Sequence, residues 1–587
     1  MVDFTQKYDI HLYLLPSKTA LFKDKIVIYT AYLSVLLTHC GSPPVIIHSL
    51  KIMKPDYIII GAGSAGCVLA NRLSENPKIS VLLIEAGGKD SNMNIHIPAA
   101  YSKLNYDKSL NWDFFTEPQK HVKNRRMYQP RGKTLGGSSS INCMAYIRGN
   151  REDYDSWERM GNRGWGYEAM LPYFKKSEHN EQISNEFHAQ GGFLNITHNR
   201  NITPLADAFV QANVECGIPE NQDFNGATQE GAGKFQFTIK NAKRHSTAAA
   251  FLVPALSRPN LSVLTNTLTK QLLIENDRVI GVEIIKTKSG NTEKIYANQE
   301  VIVSAGAFQS PQILMLSGIG DADYLKEFGI ESKVDLKGVG QNLSDHLFTN
   351  LNVFCNQRIT YNNAERFPWV LGNAFKYFVQ KQGPLTSSPL EACSFFKTLP
   401  NLDRPDMQFH FAPVMGEDIH DLANLPKTEG FTILPTIITP KSRGYVGLHS
   451  NKATDAPLID PQYFSDAKGE DLATMLRGVK KAKEVLLSDA FAPFRTENYL
   501  NFPKNSDTDE QLIEHILNQC ETVYHPCGTC TMGVDENAVV SPESLKIRGL
   551  SGVRVVDASV MPVVIAGNTN APTIAVAEKA ADLILNF

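Results

Sequence analysis

Residues 54–88, KPDYIIIGAGSAGCVLANRLSENPKISVLLIEAGG, compress two β-branched apolar runs, three closely spaced glycines and a helix-like segment into one span. DYIIIG and ISVLLIE are short runs, so the segment between them predicts the crossover helix of a strand–helix–strand unit. Strands this uniformly apolar are buried on both faces, as in a parallel sheet. Gly61, Gly63 and Gly66 fall between strand and helix as G-x-G-x-x-G. The first permits a tight turn, the second lets backbone approach a pyrophosphate, and the third lets helix and strand pack closely. The pyrophosphate would meet the free N–H groups and positive end of that helix. Glu85, closing the second strand, is placed to accept a hydrogen bond from an adenosine ribose. A glycine-rich turn without a ligand would need none of these neighbours. The span therefore predicts an adenine dinucleotide site, with FAD and NAD both open.

At 587 residues the chain is too long for one core, and two domains are expected. Hydrophobic residues at 42% and charged residues at 20% describe a globular protein. A net charge of −3, nearly neutral for this size, gives no reason to expect nucleic acid or an anionic membrane as partner. Nine scattered cysteines form no disulfide framework and suit a reducing compartment. The first 52 residues include KDKIVIYTAYLSVLLTHC, whose apolar run is long enough for a signal core and short for a membrane span. They are read first as a leader or upstream extension, with Met53 as the natural start, and second as a signal or anchor. A cytoplasmic location follows from the first reading and secretion from the second.

One further stretch fits a large ligand, and another repeats the opening pattern in a form that a buried strand with a capped helix explains on its own. Residues 111–161 hold Arg131-Gly132-Lys133 and Gly136-Gly137-Ser138-Ser139-Ser140. Bare backbone N–H groups and hydroxyls of this kind line a polar planar molecule, although a solvated loop has similar composition. EVIVSAGAFQSPQILMLSGIG, residues 300–320, repeats the strand–glycine–helix theme, with Ser310 and Pro311 expected as cap and first helical residue.

The ordered set GAGSAG, RGKTLGGSSSINCMAYIRG, GAFQSPQILMLSGIG, NLSDH, YHPCGTCTMG and VRVVDASVMPVVIAGNTNAPTIAVAEKAADLI resembles the glucose–methanol–choline (GMC) oxidoreductases over essentially all of residues 54–587. Within that family it looks most like the choline dehydrogenase-like and FAD-dependent alcohol dehydrogenase members. The resemblance chooses FAD over NAD. It implies that Gly61, Gly63, Ser64, Ala65, Gly66 and Glu85 hold the ADP half, and that Trp112, Arg131, Leu135, Gly137, Ser138, Asn142, Met144 and Ala145 surround the flavin half. Asp557 and Ala558 would contact the pyrophosphate or ribityl chain, with Asn570, Pro572 and Thr573 by the ring. Thr269 stands where relatives commonly carry a valine contacting adenine. Members that attach FAD covalently do so through a histidine in the GGSSSIN loop; Ile141 occupies that place, so the resemblance implies noncovalent FAD.

The resemblance also implies that His525 and Asn570 form the catalytic pair, oxidising an alcohol to an aldehyde or ketone. A neutral imidazole can take the hydroxyl proton while the carbon-bound hydrogen leaves as hydride to flavin N5. An amide can stabilise developing alkoxide charge without taking a proton. Electrons would then pass to a quinone or another non-NAD acceptor, with peripheral membrane association an accompanying expectation. An oxygen-using alcohol oxidase and an FAD-containing hydroxynitrile lyase are the alternatives. Cys527 and Cys530 form C-x-x-C without a second pair or histidine spacing, so small packing residues are expected rather than a metal site. The sequons at Asn195 and Asn201 matter only for a secreted chain.

The fold class expected is α/β with an α+β second domain. A Rossmann-like, discontinuous FAD-binding domain would use residues 53–150, 203–345 and 530–587. Residues 151–202 and 346–529 would form a substrate domain, an antiparallel sheet with helices over the flavin. Phe354, Phe395, Phe396, Phe409 and Phe411 could line its pocket, although core packing is the commoner use of aromatic residues. Oligomeric state and the identity of the alcohol are not specified by these patterns.

Overall fold

The computed structural model describes residues 54–364, 366, 368–416, 426–500 and 508–586. The expectations for the first 52 residues and Met53 lie outside the described residues. Five parallel strands form the sheet at the centre of the cofactor-binding region, in the order Leu261–Leu264, Val81–Ile84, Tyr57–Ile60, Glu300–Val303, Val553–Val555. The two strands of the opening motif sit side by side, Ile60 opposite both Ile84 and Val303. Their side chains are buried on both faces, as their unbroken apolar runs require. Helix Ser64–Ser74 crosses between them and packs against the carboxyl-terminal helix Asn570–Leu585.

The three glycines separate into the roles their spacing predicts. Gly61 takes a φ of +95°, which a side chain would strain. A Cβ on Gly66 would lie 1.9 Å from the Gly61 carbonyl oxygen, so only glycine lets the helix close on the turn. A Cβ on Gly63 would meet nothing within 4 Å. Its smallness serves space outside the protein's own packing.

The second large sheet is antiparallel, in the order Arg495–Leu500, Leu351–Cys355, Gly430–Ile437, Met407–Ala412, Ala392–Phe396, Gly231–Lys234. Strand Met407–Ala412 is buried throughout, and its alternation divides two interiors. Met407, Phe409 and Phe411 join Phe396, Phe431, Met475 and Val479 in a core beneath helix Glu470–Leu487. His410 and Ala412 lie on the other face and line a cavity. Phe395 packs in a separate cluster beside Phe224. Phe395, Phe396, Phe409 and Phe411 are therefore core residues.

The chain departs from the expected boundaries in two places. Strand Gly231–Lys234 pairs with Ala392–Phe396, and Leu205, Ala206, Phe209 and Ala212 of helix Pro204–Glu215 fill the core of the antiparallel sheet. Conversely, Tyr154, Trp157, Trp165 and Phe174 pack with the parallel sheet's core, where the Trp157 and Trp165 indoles donate to the carbonyls of Val563 and Pro542. Apolar complementarity, not the spacing of motifs, decides which layer these helices join. Ser310 and Pro311 are also not the cap and first residue of their helix, which runs Gly306–Leu316. The Ser310 hydroxyl instead donates to Asp557 at 2.6 Å and accepts from the Ala305 N–H.

Candidate active site

A cavity of about 320 Å³ runs from the carboxyl ends of the parallel strands to the face of the antiparallel sheet. Ligands of open α/β sheets bind at such strand ends. Here the chain after each strand contributes to the wall: Gly61 after the first, Glu85 and Ala86 after the second, Ser304–Gly306 and Asp557–Ala558 after two more. The N-terminus of helix Ser64–Ser74 opens on the same space, through Gly63, Ser64 and Ala65.

Glu85 is held by the Ala62 N–H at 2.9 Å and the Gly87 N–H at 2.8 Å. Burial pushes its carboxyl up to about 7, against those two donors. Asp557 accepts from Gly306 N–H, Ser310 hydroxyl and Ser559 N–H at 2.6–2.8 Å. The serine-rich segment folds directly onto the glycine turn: Gly136 N–H donates to Ala62 carbonyl, and a Cβ on Gly137 would stand 2.7 Å from Gly63 Cα. Trp112, Arg131, Gly137, Ser138, Asn142, Met144, Ala145, Thr269 and Thr573 also line the cavity. Gly66, Leu135 and Pro572 are buried behind the wall, Gly66 against Gly61 and Leu135 in the core.

These residues fit a dinucleotide. The open space at Gly63, the helix N-terminus beside it, and the buried, unpartnered hydroxyls of Thr269 and Ser304 are what a long polar ligand would satisfy.

At the far end the cavity meets His525, 8% exposed. Its position is fixed from behind. Its backbone N–H donates to Asp345 at 2.8 Å, and Asp345 also accepts from the Thr522 and Tyr463 hydroxyls. Arg131 donates to the Tyr524 carbonyl at 2.9 Å, and Tyr524 itself takes φ +67°. That conformation is costly for a bulky residue and persists only where surroundings over-determine it. The imidazole is bonded at both nitrogens: Nδ1 lies 3.0 Å from His346 Nδ1, and Nε2 lies 3.2 Å from Asn568 Nδ2.

Asn570 does not pair with His525. It opens the carboxyl-terminal helix, and its Oδ1 accepts from the Ser64 hydroxyl at 2.7 Å, joining two helix N-termini. Asn568, two residues earlier in GNTN, lies before the helix and reaches the histidine. Both asparagines line the cavity, but Asn570, the one expected beside His525, is the first residue of the helix, and Asn568 stands before it. His346, within NLSDH, and Asp345 beside it also escaped assignment, because His346 and His525 stand 179 positions apart and nothing in the sequence between them records their contact.

Burial, reinforced by His346, His410 and Arg131, holds His525 well below 6.5. His346 is driven to about 3 and His410 to about 4, chiefly by burial. Arg131 falls only to about 10 and remains a cation. With Asn568 Nδ2 donating, Nε2 of His525 carries the lone pair and Nδ1 the hydrogen. The site thus presents a neutral base beside an amide whose Oδ1 is unpartnered.

Cys527 and Cys530 are both fully buried in the core, and burial pushes the Cys527 thiol up to about 12. Asn195 is 2% exposed, its amide donating to Glu181 and the Ile239 carbonyl, so its sequon is closed in the folded chain.

The fold and cavity define a dinucleotide-binding protein with a buried histidine at one end of the cavity. Residues 55–348 and 440–577 match the amino- and carboxyl-terminal domains of the GMC oxidoreductases, and the chain belongs to that family. It is 45% identical over 532 residues to an alcohol dehydrogenase (acceptor) of Pseudomonas putida, covering 90% of this chain and 95% of that one. Human mitochondrial choline dehydrogenase is 40% identical over 539 residues, covering 90% and 89%. Among solved structures, a formate oxidase of Aspergillus oryzae superposes with a TM-score of 0.85 at 27% identity, covering 92% of this chain and 99% of that one. FAD is the cofactor of this fold and of this chain.

Proposed function

We propose that this protein oxidises the CH–OH group of an alcohol to an aldehyde or ketone, with His525 as base and Asn568 as its partner. The observation that carries the reading is the neutral, doubly hydrogen-bonded His525 at the end of the cavity that opens on the glycine turn. When bound, FAD supplies the two-electron acceptor for the hydrogen on the alcohol carbon.

The chain's own residues manage the proton. A hydroxyl entering between His525 Nε2 and Asn568 donates its hydrogen to the Nε2 lone pair and accepts from the amide. As the O–H bond weakens, charge grows on oxygen where the Asn568 donor already stands. The new imidazolium keeps its Nδ1–H on His346, so the ring does not turn as it charges. Asp345, Thr522 and Tyr463 hold the backbone beneath it. Trp112, Arg131, Gly137, Ser138, Asn142, Met144 and Ala145 would enclose the flavin half, and Gly61–Ala65 with Glu85 the ADP half. Asn570 falls to cofactor positioning through Ser64. FAD is held noncovalently, because Ile141 offers no nucleophile. A quinone or comparable acceptor takes the electrons onward, and peripheral contact with a membrane would bring the two together.

Anaerobic mixing with choline, primary aliphatic, aromatic and sugar alcohols tests the reading. Bleaching of the flavin absorbance by at least one alcohol is expected. Cyanide release from a cyanohydrin without any bleaching would mark a lyase instead.

A further inference from the structure

The segment Trp369–Gln380, an α-helix to Phe375 continued by a π turn, is apolar on two sides. Its inner side is accounted for. Tyr377 is buried with Ile97, Ala100 and Ala242, and Asn373 donates to the Ala364 carbonyl at 2.8 Å. Its outer side is not. Leu371, Phe375, Phe378 and Val379 recur at i, i+4, i+7 and i+8, one helical stripe, and all are exposed, Phe375 at 57% and Val379 at 65%. Trp369 adds an indole 59% exposed at the start. A contiguous exposed apolar stripe marks a surface that something covers.

The charge around the stripe says what. Residues 366–390 contain no aspartate or glutamate. Lys376 lies on the segment and Lys381 directly after it, and the exposed Lys240 and Lys243 flank Ala242 in the cluster beneath it. An apolar stripe with a tryptophan, in a stretch whose charged residues are all basic, is the pattern of an interfacial helix on anionic lipid. The location is also apt. Ala100, which packs with Tyr377, precedes Tyr101 of the cavity wall, and Pro389 and Leu390 of that wall follow the segment.

We propose that Trp369–Gln380 docks this enzyme on an anionic phospholipid surface, lying in the headgroup plane beside the cavity wall. Docking places the site against the phase in which apolar alcohols and quinones concentrate.

Flotation of the full-length FAD-loaded protein with vesicles tests it, using phosphatidylcholine with one quarter phosphatidylglycerol against phosphatidylcholine alone. The wild type floats with the anionic vesicles and less with neutral ones, and salt weakens it. Lys376→Ala and Lys381→Ala each lose roughly fivefold in partitioning, from about 1 kcal/mol per basic residue at such a surface. The triple variant L371S/F375S/F378S loses roughly tenfold or more, with FAD content and dye-linked activity retained as evidence of an intact fold. A wild type that stays in solution overturns the proposal, as do variants that float like wild type. A wild-type dimer that the triple variant converts to monomer would show that a second copy covers the stripe. Binding is read without turnover, so a failure here is distinct from a failure of the proposed chemistry.

Discussion

The two large sheets build the cavity by opposite means. The parallel sheet contributes through strand ends, where Gly61, Glu85, Ser304 and Asp557 follow one another along neighbouring edges. The antiparallel sheet contributes through a face, with His410 and Ala412 turned inward while Met407, Phe409 and Phe411 turn away. A strand end is a local event, because the residues that stop the strand also make the site. A face depends on register across strands far apart in sequence. The cofactor end is therefore a set of short motifs, and the chemical end is an assembly of distant residues.

Glycine substitutions should separate packing from ligand space at the local end, with the largest effect expected here. Gly66→Ala puts a Cβ into the Gly61 carbonyl and should cost several kcal/mol, leaving little folded protein by circular dichroism and thermal melting. Gly63→Ala meets no protein atom within 4 Å, so it should fold normally and lose FAD. Equal melting losses in both would erase the distinction drawn between the second and third glycines.

At the distant end, Asn568→Ala should slow flavin reduction by about 100–1,000-fold, the range of a lost transition-state donor, while FAD stays bound. Asn570→Ala frees the Ser64 hydroxyl and should show mainly as weaker FAD retention. In a double-mutant cycle with His525→Ala, Asn568 should be strongly non-additive and Asn570 nearly additive. The reverse pattern would restore Asn570 to the catalytic pair.

A smaller effect, roughly tenfold in FAD dissociation constant, is expected for Glu85→Gln. The amide keeps an acceptor for one of the Ala62 and Gly87 N–H groups but loses charge-assisted contact with the ribose. Equilibrium dialysis of FAD would read it, and unchanged affinity would remove Glu85 from cofactor binding.

The smallest effect is a displacement in pH. The folded state holds His525 below its ordinary 6.5, so the neutral base persists as pH falls beneath that value and is lost only as pH passes through the lower folded value. The acid limb of the reduction rate should therefore lie below pH 6.5. A limb centred at or above 6.5 would mean that the imidazole is not desolvated when it works.

What could be read in advance follows the same division. The glycine turn, Glu85 and the strand–helix alternation were legible because periodicity and spacing act over a few residues. The placement of Pro204–Glu215 against Phe396 and Phe409 was not, since an amphipathic helix does not state which core it will enter. His525 was legible from its motif. Its partners were not: Asn568 differs from Asn570 only in lying outside the helix, and His346 meets His525 only after the chain has folded.

The central claim is that a neutral His525 takes the proton while FAD takes the electrons. Rapid anaerobic mixing of His525→Ala with an alcohol that bleaches the wild type tests it directly. The variant should carry its full complement of FAD and bleach roughly 100-fold or more slowly, as expected for a lost general base. Full FAD occupancy with a wild-type bleaching rate would contradict the account.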